Sequence, residues 1–336
     1  MQPIDDPDDP RLDRFRGLID RGDRPDPDCF FVESETAVAR LLASPHFTTR
    51  TVLGTRAHLE RLAPQCPSYI VTRELLRTLL GFDLHRGIIA CAARPPQLAP
   101  NMSFKTCPIG PILGLEPIPE ASSPPPRATS FTHPPHPTSF TTPPHHTSFP
   151  SPPSEPSSSP LRPPVPEASL AAALSGPRWT VLLVQGLADP ANLGSILRSA
   201  RAFGIDLVLL DRRGADPLSR RAVRSAMGHV FAQPLALADD LPAALAHIKN
   251  HHHDAAIWAA TVSPRARPLG SFPRPNRLVL LVGNEGLGLP AALCASADAE
   301  VTIPIAAEVD SLGVAAATAI LLHALTSPHA RDSGGI

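Results

Sequence analysis

Apolar and polar positions along this chain form two blocks of similar character. In residues 1–94, short apolar runs typical of strands alternate with amphipathic segments typical of helices, which favours a sheet flanked by helices. We expect helices over residues 11–19, 36–42, 58–62 and 73–80, and strands over 29–32, 51–53, 69–71 and 87–92. From about residue 168 the alternation resumes, with strands near 257–262 and 278–282 and helices near 241–248 and 314–325.

Residues 180–211 predict a complete strand–helix–strand unit. The apolar run 180–185 suits a buried parallel strand, and the turn residues Asp189 and Pro190 end it. An apolar helical face then begins at Leu193, and Gly204 supplies a stop before the next strand. The loop and first helical turns carry polar or very small residues that a buried helix does not need, which indicates a site: Asn192, Gly194 and Arg198.

Two later stretches, 278–290 and 301–325, also place a strand before a polar or glycine-rich loop. The glycines of GNEGLG suit close contact between backbone and ligand. This loop is not a GxGxxG dinucleotide fingerprint, and no acidic ribose partner lies at the expected offset, which disfavours a nucleotide-binding oxidoreductase.

A helix is also predicted to start at Asp216 and Pro217, with a cap and a proline in its first turn. The densest basic run of the chain follows at once. It is either a solvated helix face or a phosphate-binding face, and its members are Arg220, Arg221 and Arg224.

Residues 95–167 cannot build a core, because proline, serine, threonine and histidine dominate them. Three consecutive nine-residue units, ATSFTHPPH, PTSFTTPPH and HTSFPSPPS, start at residue 128. We predict a disordered, semi-extended linker between two folded parts, and a flexible tail over 329–336.

Composition limits the classes of function. The net charge of −1 gives no global basic field, so a nucleic-acid partner has to be argued from local patches. The five cysteines form no CxxC pair, so no metal site is indicated. With no apolar run near 18 residues and an acidic N-terminus, we expect a cytoplasmic protein without a membrane span.

Three segments in this order closely resemble the motifs of the SpoU (TrmH-like) RNA ribose 2′-O-methyltransferases of the SPOUT superfamily: NLGSILR, GNEGLG, and IPI with SLGVAAATA. The resemblance implies an α/β catalytic domain over 168–328, with a parallel sheet and a deep trefoil knot. It also implies S-adenosyl-L-methionine as cofactor, rRNA or tRNA as substrate, and a homodimer.

The resemblance further implies roles for individual residues. Positions implied to be catalytic are Arg198, Asn192, Glu285 and Ser311, and those implied to bind the cofactor are Gly283, Ile303, Leu312 and Gly288. Three alternatives stay open. Ile303 and Leu312 can be ordinary core residues, and Glu285 can be a charge at a helix N-terminus.

The block 1–94 resembles the ribosomal-protein L30e-like substrate-binding domain that precedes the catalytic domain in many members of this family. His85 and Arg86 would then face RNA, while Arg220 and Arg224 are the candidates for RNA contact in the basic run of the second block. The alternative is a helix-to-strand turn at Gly87 in which Arg86 is simply solvated. Ser34 departs from the family, which commonly has glycine there.

The sequence as a whole predicts an S-adenosylmethionine-dependent RNA 2′-O-methyltransferase. The main alternative is a non-catalytic RNA-binding relative, because the third motif has Gly313 where the family usually has asparagine.

Overall fold

A computed structural model of the protein describes residues 1–18, 28–82, 84, 87–95, 98, 174–306, 308–309 and 311–326. These residues form a five-stranded sheet and a seven-stranded sheet with helices packed on both. The predictions for His85, Arg86, most of the segment 95–167 and the tail 329–336 lie outside the described residues.

The first sheet is mixed and confirms the predicted alternation. Its strand order is β1-β4-β3-β5-β2, and β5 runs antiparallel to both of its neighbours. The strands are β1 (Gln2–Pro3), β2 (Cys29–Glu33), β3 (Thr49–Gly54), β4 (Ser68–Ile70) and β5 (Ile88–Ala93), and the helices are α1 (Glu35–Ala43), α2 (Arg56–Leu62) and α3 (Arg73–Leu80).

The helix predicted over 11–19 is instead a short 3₁₀ helix, Pro10–Phe15. The cause is local, because Arg16 is extended and Gly17 has a φ of 61°. A left-handed residue stops the helix one turn early.

The second sheet is parallel throughout, with the order β10-β12-β9-β11-β6-β7-β8. Its strands are β6 (Trp179–Val184), β7 (Leu207–Asp211), β8 (Leu235–Ala238), β9 (Ala256–Ala260), β10 (Arg267–Pro268), β11 (Arg277–Val282) and β12 (Ala299–Thr302). The α-helices are α4 (Pro190–Ala202), α5 (Arg220–Ser225), α6 (Leu241–His251), α7 (Ala291–Ala295) and α8 (Val314–Thr326).

Helices cover both faces of this sheet, as its almost continuously apolar central strands require. Residues of α4 and α8 share one core with one face of the strands, while residues of α6 and α7 share a second core with the other face. The parallel strands therefore all end at one edge, which stays open for loops.

The prediction that a helix starts at Asp216 is wrong. Helix α5 begins at Arg220 and is capped by the Ser219 hydroxyl, which accepts a hydrogen bond from the Ala222 amide at 3.2 Å. The Asp216 carboxylate instead accepts from the Leu218 amide and from the Arg94 guanidinium, so a turn and a distant ion pair use it.

The two parts of the chain that carry the sheets contact each other through charged and aromatic side chains. Arg94 makes two hydrogen bonds to Asp216, of 3.0 and 2.8 Å, and the two side chains are 2% and 10% exposed. Phe30 and Phe47 pack on Phe231, with ring centroids 5.9 and 5.2 Å away. One apolar core runs through both sheets as a result.

Candidate functional site

A cavity of about 500 Å³ lies at the carboxyl ends of β9, β11 and β12. In open parallel sheets this edge is where ligands bind, because the loops that follow the strands converge there. Several predicted residues line the cavity: Gly283, Glu285, Gly288, Ile303, Ser311 and Leu312. The structure thus gathers residues from two separate motifs around one space.

The cavity wall is largely main chain and small or apolar side chains. Ile303 packs partly against the core and also lines the cavity. It is therefore both a core residue and a residue of the candidate site. Val282, Thr318 and Leu321 complete the apolar and hydroxyl lining on the sheet and α8 sides. A site with these properties suits a ligand that is held by backbone groups and by apolar contact.

The loop that follows β11 is shaped by its glycines. A Cβ atom on Gly283 would stand 2.4 Å from the carbonyl carbon of Gly288, closer than side chains tolerate. Gly288 itself has a φ of 65°, a conformation that favours glycine. The loop therefore folds back on itself, with no room for a side chain at Gly283 and a backbone at Gly288 that suits glycine.

Asn284 is the residue of this loop that the sequence analysis missed. Its side-chain oxygen accepts from the Gly286 amide at 2.8 Å and the Leu287 amide at 3.2 Å, and its side-chain nitrogen donates to the Gly186 carbonyl at 2.8 Å. Asparagine is typical of such self-bonded turns, so its place between glycine and glutamate was an available signal.

Asn192 and Glu285 connect the first and second motifs. The Asn192 side-chain nitrogen donates to a Glu285 carboxylate oxygen at 2.5 Å, across 93 positions of sequence. The cap at Asp189 places Asn192 in the first turn of α4. The alternative for Glu285 is wrong, since the short helix α7 is capped at Pro290 and has no acidic residue in its first turn.

Arg198 lies on the exposed side of α4 and outside the cavity lining. Within the part of the chain that the structure describes, its side chain makes no hydrogen bond or ion pair. It is close enough to Arg40 and His229 for its charge to lower the pKa of each. The guanidinium is therefore available to a ligand that approaches α4 from solvent.

The predicted RNA-binding arginines have different surroundings. Arg220 is 19% exposed, donates to Glu33 at 3.1 Å and to the Leu18 carbonyl at 3.2 Å, and stacks over the Phe82 ring. Its side chain joins the two sheets. Arg224 is 64% exposed and lies 3.8 Å from Glu33, so most of it faces solvent.

The described residues contain neither a metal cluster nor a membrane-spanning helix. No group of three or more His, Cys, Asp or Glu side chains in these ranges is placed to hold a metal ion. Among the described helices, none is long and apolar enough to cross a membrane.

Comparisons with known proteins agree on one family. A family model described as the SpoU rRNA Methylase family matches residues 180–323. An uncharacterised tRNA/rRNA methyltransferase of Mycobacterium tuberculosis is 30% identical over 97% of this chain and 92% of its own length. The 23S rRNA (guanosine(2553)-2′-O)-methyltransferase RlmP of Bacillus subtilis is 34% identical over 48% of this chain and 61% of that protein.

Solved structures share the fold. The SpoU methyltransferase AviRb from Streptomyces viridochromogenes, in complex with the cofactor AdoMet, superposes with a TM-score of 0.61 at 18% identity, over 91% of this chain and 92% of that one. An AdoMet-bound rRNA methyltransferase from Sinorhizobium meliloti gives a TM-score of 0.61 at 20% identity, over 100% and 99%. With its three motifs, its parallel sheet and a full-length relative, the chain belongs to the SpoU methylase family of tRNA and rRNA methyltransferases, within the SPOUT superfamily.

Proposed function

We propose that this protein transfers a methyl group from S-adenosyl-L-methionine to a ribose 2′-hydroxyl of rRNA or tRNA. The observation that carries the proposal is the contact between Asn192 and Glu285. It joins the rim of the cavity at the strand ends to the helix that presents Arg198. A cofactor pocket and an acceptor-facing arginine are thereby held in one framework.

The cavity suits the cofactor in size and in chemistry. Pockets for ligands of this size have volumes of roughly 300–1,000 Å³, and about 500 Å³ is present here. The backbone at Gly283, Ile303 and Leu312 would hold the adenine, and Gly288 would keep the loop closed over it. The close approach of Gly283 and Gly288 leaves main-chain groups, not side chains, facing the ligand.

When bound, S-adenosylmethionine would supply a methyl group on a positively charged sulfur; the ribose oxygen would form a bond to the methyl carbon as the carbon–sulfur bond breaks, and S-adenosylhomocysteine would leave as a neutral thioether. Arg198 would clamp the hydroxyl and a neighbouring phosphate, because its guanidinium offers paired donors and keeps its charge. It is a poor base for the same reason, so the hydroxyl proton leaves to phosphate, to water or through a transiently deprotonated arginine. Asn192, Glu285 and Ser311 would orient the loops around these groups.

Further features are part of the same proposal. Residues 1–94 would form an L30e-like RNA-binding domain, for which the mixed sheet with its three flanking helices is support. The loops around the cavity would form a trefoil knot, and the protein would act as a cytoplasmic homodimer. The tandem-repeat segment between the two sheets would serve as a linker.

The test is methyl transfer from labelled S-adenosylmethionine to total RNA, followed by mapping of 2′-O-methyl sites. Arg198→Ala should lower the rate by about 100-fold or more, as loss of one positioned donor does in other enzymes. Its affinity for the cofactor should be unchanged, since Arg198 does not line the cavity. Wild-type turnover by this variant would overturn the assignment.

The second candidate, a binding-only relative, rests on Gly313. The backbone there caps α8, with the Gly313 carbonyl accepting from the Ala317 amide at 2.9 Å, but glycine offers no side chain to the cavity. Calorimetric titration with S-adenosylmethionine and with NADH separates both candidates from an oxidoreductase, because only an oxidoreductase would bind NADH. RNA binding without methyl transfer by a protein that holds the cofactor would favour the binding-only function.

A further inference from the structure

We propose that Arg40, Arg201 and His229 form, beside Arg198, a phosphate-binding site where the two sheets meet, and that it holds a phosphate group of the RNA next to the acceptor ribose. The inference rests on the proposed function, and it assigns substrate contacts to residues outside the three motifs. We call these four residues the basic junction.

The basic junction is built by a close contact between α1 and the turn that follows α5. A Cβ atom on Gly228 would stand 2.9 Å from the Cα atom of Ala37, so helix and turn touch without intervening side chains. Arg40, one turn further along α1, donates to the Met227 carbonyl. This bond directs the guanidinium of the first sheet's helix toward α4 of the second.

The turn itself has an unusual backbone. Met227 has a φ of 51° and Gly228 a φ of 77°, and a left-handed conformation is costly for a residue with a side chain. Together they turn the chain so that His229 follows directly beside Arg40. The amides of the turn are bonded within the chain, which leaves side chains as the groups that can bind a ligand.

Positive charge concentrates at this place. Burial, followed by the charges of Arg40, Arg198 and Arg201, lowers the pKa of His229 to about 4. Burial also lowers the pKa of Arg40, with a second contribution from Arg198. Because arginine keeps its proton at neutral pH, three cations surround a neutral imidazole.

The carboxylate on the first turn of α1 is already paired. Glu35 accepts two hydrogen bonds from Arg61, at 2.7 and 2.9 Å, and so does not neutralise Arg40. Like charges held together cost free energy, and such clusters with perturbed pKa values mark functional sites. An anion with several acceptor oxygens relieves the repulsion, and arginine binds phosphate through paired donors.

The surroundings favour a polymer over a small anion. On its other side Arg40 lines a second cavity of about 590 Å³, together with His58, Arg73 and the Arg61-paired Glu35. Gly87, which follows the predicted RNA-facing residues, lies beside the side chains of His58 and Arg73. A strand of RNA that crosses this cavity would meet basic groups in succession before it reaches Arg198.

The experiment measures RNA affinity at several salt concentrations and steady-state methyl transfer, for wild type, Arg40→Gln and Arg40→Lys. In Arg40→Gln the loss of one phosphate contact should weaken RNA binding by ~10-fold. It should also reduce, by about 1, the magnitude of the slope of the logarithm of the RNA association constant against the logarithm of the salt concentration. Arg40→Lys keeps the charge and should keep most of the slope. The Michaelis constant for RNA should rise in Arg40→Gln, with turnover at saturating RNA retained.

Arg178→Gln is the matched control, because Arg178 is exposed and directly precedes β6, at the edge of the sheet opposite the cavity. If Arg40→Gln unfolds, Arg201→Gln removes one charge of the site without removing the bond from Arg40 to Met227. A salt slope that is unchanged in both variants, or that falls equally in Arg178→Gln, would overturn the inference.

Inorganic phosphate distinguishes the source of the ligand. If millimolar phosphate raises the melting temperature of wild type but not of Arg40→Gln, while RNA affinity is equal in the two, the site takes a free anion and the RNA assignment is wrong. Wild type that binds RNA through Arg40 yet transfers no methyl group would overturn the proposed function and leave this site standing. If the enzyme transfers methyl groups but the salt slope of RNA binding is the same with and without Arg40, the proposed function stands and the phosphate site is overturned.

Discussion

The cavity at the strand ends is formed mainly by backbone and apolar groups, whereas the basic junction is formed by charged side chains. The cavity is shaped by main chain, with Gly283 and Gly288 pressed together and apolar side chains behind them. The junction is shaped by long charged side chains that reach across from two sheets. A site formed by backbone has a fixed shape, which suits a cofactor that is identical in every catalytic cycle. A site formed by long side chains carries charge and can adapt, which suits a large polyanion such as RNA.

The packing of α4 against α5 offers the largest effect. Gly194 in α4 touches α5 so closely that a Cβ atom would stand 2.3 Å from the Ala222 carbonyl oxygen. Alanine in a helix interior normally gains about 1 kcal/mol over glycine, but overpacking against backbone costs ~3 kcal/mol. Gly194→Ala should therefore lower the free energy of unfolding, measured by denaturant titration.

Gly270→Ala provides the matched control for this prediction, because nothing lies within 4 Å of its added Cβ atom. Its stability should stay within about 0.5 kcal/mol of wild type. A stabilised Gly194→Ala protein would mean that α4 and α5 move apart easily.

Gly283→Ala should distort the cavity and leave the structure of the basic junction unchanged. The loop has to open to admit the methyl group, so affinity for S-adenosylmethionine should fall by about 10- to 100-fold, the equivalent of ~1–3 kcal/mol of overpacking. The salt slope of RNA binding should not change. Gly286→Ala is the control, since its Cβ atom would lie 3.5 Å from the Asn284 side-chain oxygen, an ordinary contact; equal cofactor affinity in both variants contradicts the prediction.

Acid should weaken the junction through His229. Unfolded chains bind a proton at histidine near pH 6.5, while the folded protein holds the His229 pKa at about 4. The neutral His229 ring contributes its full share to the free energy of unfolding above the pKa of histidine in the unfolded chain. This contribution is lost as the pH falls toward 4, and it amounts to ~1–3 kcal/mol when the partial exposure of the ring is taken into account.

His229→Gln should flatten this part of the stability–pH curve. Other histidines with lowered pKa, such as His247 and His252, contribute a slope of the same sign, so the difference between variant and wild type is the measurement. Parallel curves for the two proteins would show that the ring titrates alike in folded and unfolded states.

The smallest effect concerns the rim of the cavity at Gly313. Nothing lies within 4 Å of an added Cβ atom there, so asparagine fits. One orienting hydrogen bond of about 1 kcal/mol should raise methyl transfer several-fold, while an asparagine cap moves stability by only a few tenths of a kcal/mol. A Gly313→Asn enzyme slower than wild type would mean that the glycine backbone itself is needed.

The contrast also explains what could be predicted from sequence. The cavity residues follow strands directly, and apolar runs such as 278–282 locate those strands, so local patterns bring Gly283 and Ile303 to one edge. The bond from Arg40 to Met227 spans 187 positions, and no local pattern carries that information. Asp216 was misread as a helix cap for the same reason, because its partner Arg94 is 122 positions away.

The buried pair of Arg94 and Asp216 has a consequence for how the chain can evolve. Because this pair and the phenylalanine cluster fix one sheet against the other, the site does not depend on the length of the chain between them. If the segment between the two parts acts as the proposed linker, each doubling of its length adds only about 0.6 kcal/mol of closure entropy. Gain or loss of a nine-residue unit, such as the three that start at residue 128, should therefore leave the geometry of the site unchanged.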